Sequence, residues 1–370
     1  MEGIRDLEIY LINELRRGYH SGGPFKDVRP RDLFYIILYY LVSNKLGEAL
    51  SLIEYLSHHQ ISKGGYISYI HGGHSPKLNF KYEKLDVDDG QYIGGFPTII
   101  KEKYSIINGF YPDIDSTSLS LAAIAKTIQV SERVELYQRY RSVIIRGIKY
   151  LEKRDSNGDS LVEQLENEDW ADSLLRSGAV FYSNITYLLS LQWIQEVAEF
   201  YNDRKLIVPL EDSIDEVTKK IISKFWQKDH FIEYIDSYGG RVDRASLDTS
   251  LLTFTRLIDI SRRKVEDHFN YLYTKLADKY GLLSLSIPQK ITRPKKYERY
   301  NYQNGAIIPL YNISYYMGIR ELGLRVELDI DRLVGMSHYL WINREDGSGK
   351  GAFYKPSAAF LTFIFKMYHQ

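Results

Sequence analysis

The chain is 370 residues long, carries 48 Lys+Arg against 48 Asp+Glu, and contains no cysteine. Balanced charge provides no field for a nucleic acid or a membrane surface, so neither is expected as a partner. Missing cysteine excludes disulfides, thiolate metal sites and a cysteine nucleophile.

The first stretch, MEGIRDLEIYLINELRRG, reads as a charged amphipathic helix without the apolar core of a signal peptide. No apolar run reaches the ~18 residues that a membrane span needs, so the expected location is the cytoplasm. From there helical periodicity dominates. It predicts helices near 2–16, 31–44, 47–59, 115–129, 132–153, 179–201, 209–226, 246–260, 264–280, 303–322, 325–343 and 356–369. No Pro/Ser-rich linker divides them, and one domain over 1–370 is expected. Residues 61–114 are the exception. Their Gly, Tyr and Pro content predicts a long rim loop or a small hairpin insertion.

The helices are of two kinds. Those over 132–154, 211–228 and 263–279 have one charged face, whereas 116–130, 178–194, 246–258, 304–319 and 357–368 are nearly uncharged all round. A helix apolar on every side must be buried on every side. Alternation over twelve helices therefore predicts an all-α fold, an (α/α)6 barrel of six inner and six outer helices.

Polar sets precede the uncharged helices: Asp113 and Asp115; Asp169, Asp172 and Arg176; Asp243, Arg244 and Asp248; Tyr302, Gln303 and Asn304; Arg344, Glu345 and Asp346. Capping accounts for about one residue per helix. The surplus acids suggest that the sets converge on one cavity mouth, where helix N-termini favour anions. Hydrolysis of an acetal needs an acid for the leaving oxygen and a carboxylate for water or carbon. Trp170 beside Asp172 suits the first role, because an indole that excludes water raises a carboxyl's pKa. Glu345 supplies a second carboxylate from a distant element.

Three other patterns carry less. DSNGDSLVEQLE (155–166) follows part of a calcium-loop spacing through Asp155, Asn157, Asp159 and Glu166, but has Ser160 where the turn wants glycine. A polar turn is the preferred reading, with no metal expected. DVDD (86–89) is a short acidic match to alkene-protonating cyclases and reads as an exposed turn. HGGH (71–74) lacks the further ligand that a metal site needs. The 32 tyrosines suit a bulky core ahead of carbohydrate contact. Missing Cys with abundant Ile, Tyr, Lys and Arg hints at a thermophile.

Over roughly 90–370 the ordered motifs GGFPTII, YPDIDSTSLSLAAIA, DSNGDSLVEQLENEDWADSLLRSGAVFYSN, YQNGAIIPLYN and NREDGSGKGAFYKPSAAFLTFIF resemble the (α/α)6 glycoside hydrolases. That group includes trehalases, processing α-glucosidase I, mannosylglycerate hydrolases, neutral invertases and the glucosidase part of glycogen debranching enzymes. The resemblance implies inverting hydrolysis of an α-glucoside or α-mannoside with no cofactor. It also implies Asp172 as general acid and Glu345 as general base. Asp115, Tyr302 and Asn304 would bind the sugar, Arg176 would orient acid or sugar, and Trp170 and Asp169 would be further substrate-binding residues. Asp346 and Asp169 are fallback carboxylates. The alternatives are a catalytically silent carbohydrate-binding barrel, or a sugar isomerase or epimerase, which would need histidines that no inner-helix start carries.

Overall fold

The structure, a computed structural model, describes residues 2–63, 90–102, 104–292, 299–324 and 330–369, and the backbone of 66–69 and 83–86. Among these residues lie twelve α-helices and one 3-10 helix. They are α1 (Glu2–Arg16), α2 (Pro30–Val42), α3 (Leu46–His58), α4 (Ile114–Ser131), α5 (Val134–Glu152), α6 (Phe181–Phe200) and α7 (Arg204–Phe225). The 3-10 helix Leu247–Phe254 follows, then α8 (Leu257–Ile260), α9 (Arg262–Leu276), α10 (Pro309–Leu322), α11 (Ile330–Ser337) and α12 (Lys355–His369).

Six of these close a ring: α2 packs on α4, α4 on α6, α6 on the 3-10 helix, that helix on α10, α10 on α12, and α12 back on α2. Outside them, α3 bridges α2 and α4, α5 bridges α4 and α6, α9 touches the 3-10 helix and α10, and α11 bridges α10 and α12. On the same outer layer α7 lies against α6, and α1 lies against α11 and α12. This is the (α/α)6 barrel that the alternation predicted. In α6 nearly every residue from Phe181 to Ala198 is buried, whereas α5 buries one stripe running from Leu136 through Tyr140, Ile144 and Ile148 to Leu151. The sixth inner helix is α2, whose LFYIILYY run (33–40) is buried throughout.

Several boundaries differ from the sequence reading. The third of the predicted inner helices is a 3-10 helix that yields to the short α8. Its sequence is rich in Ser and Thr, and the hydroxyls of Thr249, Thr253 and Thr255 donate to the carbonyls of Ser246, Ser250 and Leu252, three residues back. Such local bonds compete with the α-helical ladder. The helix expected from 303 begins only at Pro309, which lacks the N–H an interior position would use and suits a first turn. Conversely, the helix expected from 209 starts five residues earlier, with Pro209 inside it. The helix expected over 325–343 ends at Ser337 and gives way to a strand at Trp341–Ile342, while 325–329 lie outside the described residues.

The 61–114 insertion forms a four-stranded sheet in the order Glu83–Asp86, Tyr66–Tyr69, Ser105–Ile107, Ile99–Ile100. The HGGH motif and residues 87–89 of DVDD lie outside the described residues. No described helix is long and apolar enough to cross a membrane.

Inner and outer layers meet closely at Gly318 of α10, where a Cβ would come within 2.3–2.4 Å of the Phe269 ring and Thr253. Gly318→Ala is expected to lower unfolding stability by about 1–3 kcal/mol, the usual cost of overpacking. Urea denaturation reads this, and an unchanged midpoint would show that the ring makes room.

Candidate functional site

Hydrogen bonds stitch the first turns of the inner helices together. From α2, Arg31 Nη1 donates to Asp115 Oδ2 of α4 at 2.8 Å, and its Nη2 pairs with Asp113. From α6, the Tyr182 hydroxyl reaches the same Asp115 oxygen at 3.1 Å. Trp170 Nε1 donates to Asp248 Oδ2 in the 3-10 helix at 2.7 Å, and Tyr354, just before α12, donates to Asp32 Oδ1 of α2 at 2.7 Å. Members of the first and third polar sets therefore meet residues of α2, of α6 and of the turn before α6 at one end of the ring.

Asp172 is buried in this region, 6 % exposed. Asn108 Nδ2 donates to its Oδ2 and Gln303 Nε2 to its Oδ1, each at 3.1 Å. Gln303 also donates to the Trp170 carbonyl and accepts from the Ser173 N–H at 2.9 Å, which fixes the Trp170–Ser173 turn against the segment before α10.

Two buried ionic clusters flank it. In the first, Arg31 faces Asp113 and Asp115. Burial raises both carboxyls above the ordinary range despite the guanidinium, Asp115 to about 6. In the second, Arg176 Nε meets Asp169 Oδ2 at 2.8 Å, and its Nη1 meets Asp248 at 2.9 Å and Glu233 at 3.6 Å. Arg244 binds Glu233 through two nitrogens, at 2.6 and 2.8 Å. Each cluster carries one more acid than base.

A cavity opens among these turns. It is lined by Phe25, Arg29, Arg31, Asp32, Tyr35, Leu119, Trp170, Tyr182, Tyr302, Ile308, Leu310, Tyr311, Leu340 and Tyr354. Trp170 packs on Tyr311 with ring centroids 4.5 Å apart. Tyr302 holds a positive φ of 46°, a conformation that costs a bulky residue of order 1–3 kcal/mol and concentrates at functional sites. The cavity is narrow, about 30 Å³, room for about one water, so a sugar ring enters only with side-chain displacement.

The predicted residues thus separate into groups. Trp170 and Tyr302 line the cavity, Asp115 is tied to Arg31 and Tyr182 of its wall, and Asp172 is held by Asn108 and Gln303, which are not part of the lining. Arg176 and Asp169, each 1 % exposed, are bound to protein partners, and Asn304 brackets the backbone of Gln289, whose N–H it accepts at 2.7 Å and whose carbonyl it donates to at 3.1 Å. The contacts given for these three are with the protein itself, and none of the three lines the cavity.

Glu345 is not brought to the cavity. It sits exposed with Asp346 in the turn of a hairpin that pairs Trp341 with Lys350 and Ile342 with Gly349. That turn closes on itself, with the Glu345 N–H on Asn343 Oδ1 and the Ser348 N–H on Asp346 Oδ1, both at 2.8 Å. Neighbouring Arg344 pairs with Asp278 at 2.7 Å. From this segment it is Leu340 that reaches the cavity wall. The sequence reading missed Arg29, Arg31 and Asp32 of α2, Asn108, and Glu233; the signal available was RPRD placed just before an uncharged run.

In the calcium-like loop the acids that meet are Asp155, Asp159 and Glu163, with Glu163 in place of the expected Glu166. The Asp155 oxygens accept the N–H groups of Asp159 and Ser160, Glu163 accepts from Ser156 and Asn157, and Lys224 pairs with Asp159 at 2.6 Å. Ser160 takes a φ of 72° where the pattern wants glycine.

Beside the loop, Glu168 is pushed up to about 7 by burial, although Arg154 and the N–H groups of Leu165 and Tyr111 all favour its charge. A carboxyl raised on folding binds more protons folded than unfolded between the two pKa values. Stability therefore falls as pH rises from about 4.5 to about 7. In Glu168→Gln this slope should flatten, by up to about 3 kcal/mol across the window. Chemical denaturation of both proteins at pH 5 and pH 7 checks it, and parallel pH dependences would contradict it.

No family model matches the sequence, and no curated protein matches it. Solved structures do. The GH63 mannosylglycerate hydrolase from Thermus thermophilus, in complex with Tris and D-glycerate, superposes with a TM-score of 0.69 over 97 % of this chain and 99 % of its own, at 11 % identity. The chain has the fold of the (α/α)6 glycosidases. A wild-type glycosidase matches at 0.65 and 9 % identity over 98 % of this chain and 96 % of that one. A rhamnosidase from Klebsiella oxytoca with rhamnose bound matches at 0.60 and 11 % identity, over the whole of this chain and 64 % of that one.

Proposed function

We propose that the protein is a glycoside hydrolase that cleaves an α-glycoside with inversion, using Asp172 as general acid. The observation that carries this reading is the buried Asp172, braced by Asn108 and Gln303 two residues from Trp170, which lines an aromatic-walled cavity. Trp170 and Tyr302 give a sugar apolar faces to stack on, and polar groups of α2 and α4 stand close enough to orient its hydroxyls. The glycosidases that share the fold support the reading, and several of them are described with sugars bound. An α-glucoside or α-mannoside is the proposed substrate, with no cofactor.

Glu345 is the proposed base by resemblance, and its place on an exposed turn favours a second reading, a barrel that binds sugars without cleaving them. No histidine lines the cavity among the described residues, so nothing there favours proton shuttling by an isomerase. The test is incubation with trehalose, glucosylglycerate, mannosylglycerate and isomalto-oligomers, with release of monosaccharide measured. Turnover supports the hydrolase. Calorimetric binding with no turnover supports the second reading, and neither result overturns both. Glu345→Gln then decides the base: a loss of at least ~10²-fold keeps the role with Glu345, and wild-type turnover removes it.

A further inference from the structure

We propose that Asp32 is the catalytic carboxylate that draws the proton from the attacking water. This rests on the hydrolase reading above and moves one role within it, from the residue that resemblance names to one that lines the cavity.

An inverting glycosidase needs a carboxylate within reach of the water that attacks the anomeric carbon. Among the described residues the cavity wall holds one carboxylate, Asp32 in the first turn of α2. It is 2 % exposed. Its Oδ1 accepts from the Tyr354 hydroxyl at 2.7 Å, which anchors that end. Its Oδ2 is buried and has no hydrogen-bond partner within the protein, although the Ser21 hydroxyl stands close by. A bare acceptor inside a protein is costly, and such groups persist where a water, an ion or the chemistry uses them.

A second bare group lies one turn along α2. Tyr35 lines the same cavity, its hydroxyl is buried without a partner, and the Asp32 charge acts on it. The cavity has room for about one water. A water there can donate to Asp32 Oδ2 and accept from the Tyr35 hydroxyl, which leaves a lone pair free for carbon. Burial lifts the Asp32 carboxyl above its ordinary range, against Arg29, Arg31 and the hydroxyls of Ser21 and Tyr354 that face it. The acids Asp113 and Asp115 lie beyond Arg31 and are paired to it. A carboxylate held this way is a stronger base than one in water.

The acid comes from another side. Trp170 lines the cavity, and Asp172 follows two residues later, close enough to act on the charge of Arg31. Asp32 enters from α2 and Asp172 from the turn before α6, with α4 between those helices in the ring. In the step, the water oxygen bonds to the anomeric carbon and its proton passes to Asp32. The glycosidic bond breaks, and its oxygen takes the proton of Asp172. Exchange with solvent resets both carboxyls.

The test is Asp32→Asn on an α-glycoside that the wild type cleaves. It should lose at least ~10²-fold in kcat/KM. The wild-type rate should fall at low pH as Asp32 takes a proton, and in Asp32→Asn that acid limb should vanish. Azide carries its own charge and needs no base. In Asp32→Ala it should therefore restore turnover of the α-glycosyl fluoride and give the β-glycosyl azide. A carboxylate that only binds a sugar hydroxyl would lose rate without either signature, and that result overturns the proposal. If neither Asp32 variant folds, Tyr354→Phe decides. It removes a donor that favours the Asp32 charge, so the acid limb should move to higher pH, and an unmoved limb overturns the role. Wild-type turnover that survives in Asp32→Asn overturns the base alone. A wild type that cleaves no α-glycoside overturns the hydrolase reading and this role together.

Discussion

Asp172→Asn is expected to lose at least ~10²-fold in kcat/KM on any α-glycoside that the wild type cleaves, with little change in thermal stability. An amide keeps the size of the carboxyl but has no proton to give a leaving oxygen. The site can accept it. Both Asp172 oxygens now take amide N–H groups, from Asn108 and Gln303, and the Asn108 Oδ1 is buried without a partner. Turning the Asn108 amide over would present that oxygen to the new N–H. The loss should therefore lie in kcat rather than in folding. Steady-state kinetics alongside a melting curve checks this, and unchanged kinetics would take Asp172 out of the proton-donor role.

Arg176→Met is the second large effect, and it is expected in stability. Arg176 is the shared cation of Asp169, Asp248 and Glu233. Without it, Arg244 still neutralises Glu233, but Asp169 and Asp248 are left charged and buried with neutral donors only: Gln164 and the Ala171 N–H on one, Trp170 and Ser246 on the other. Removing one partner of a buried pair costs about 3–5 kcal/mol, so the urea midpoint should fall sharply. Activity should fall too, because Asp248 anchors the Trp170 indole at the cavity. A loss below about 1 kcal/mol would mean that the acids shed their charge instead.

The ring was legible because burial on all sides leaves a composition signal. SLSLAAIA and FYSNITYLLSL cannot sit on a surface, and in the structure they are α4 and α6 at the centre of the barrel. The same reasoning reached Trp170, Asp172 and Asp115, because surplus acids before a buried helix exceed what capping requires. It did not single out α2, where RPRD looks like an ordinary charged helix start. Only the ring closure shows Arg31 spending its charge on Asp113 and Asp115, some eighty residues away. Glu345 marks the opposite limit. Its spacing before α12 fits a rim carboxylate, but a hairpin reverses direction within a few residues, and spacing does not say which of them faces inward. Here Leu340 lines the cavity and Glu345 stays in the turn.

The most direct test of the account is proton NMR of the first minutes of wild-type hydrolysis of an α-glycoside from the panel, following the anomeric signals of the released sugar. Inverting hydrolysis at Asp172 predicts that the β-anomer appears first, with the α-anomer growing in by mutarotation. An α-anomer released first, or no release from any α-glycoside, would contradict it.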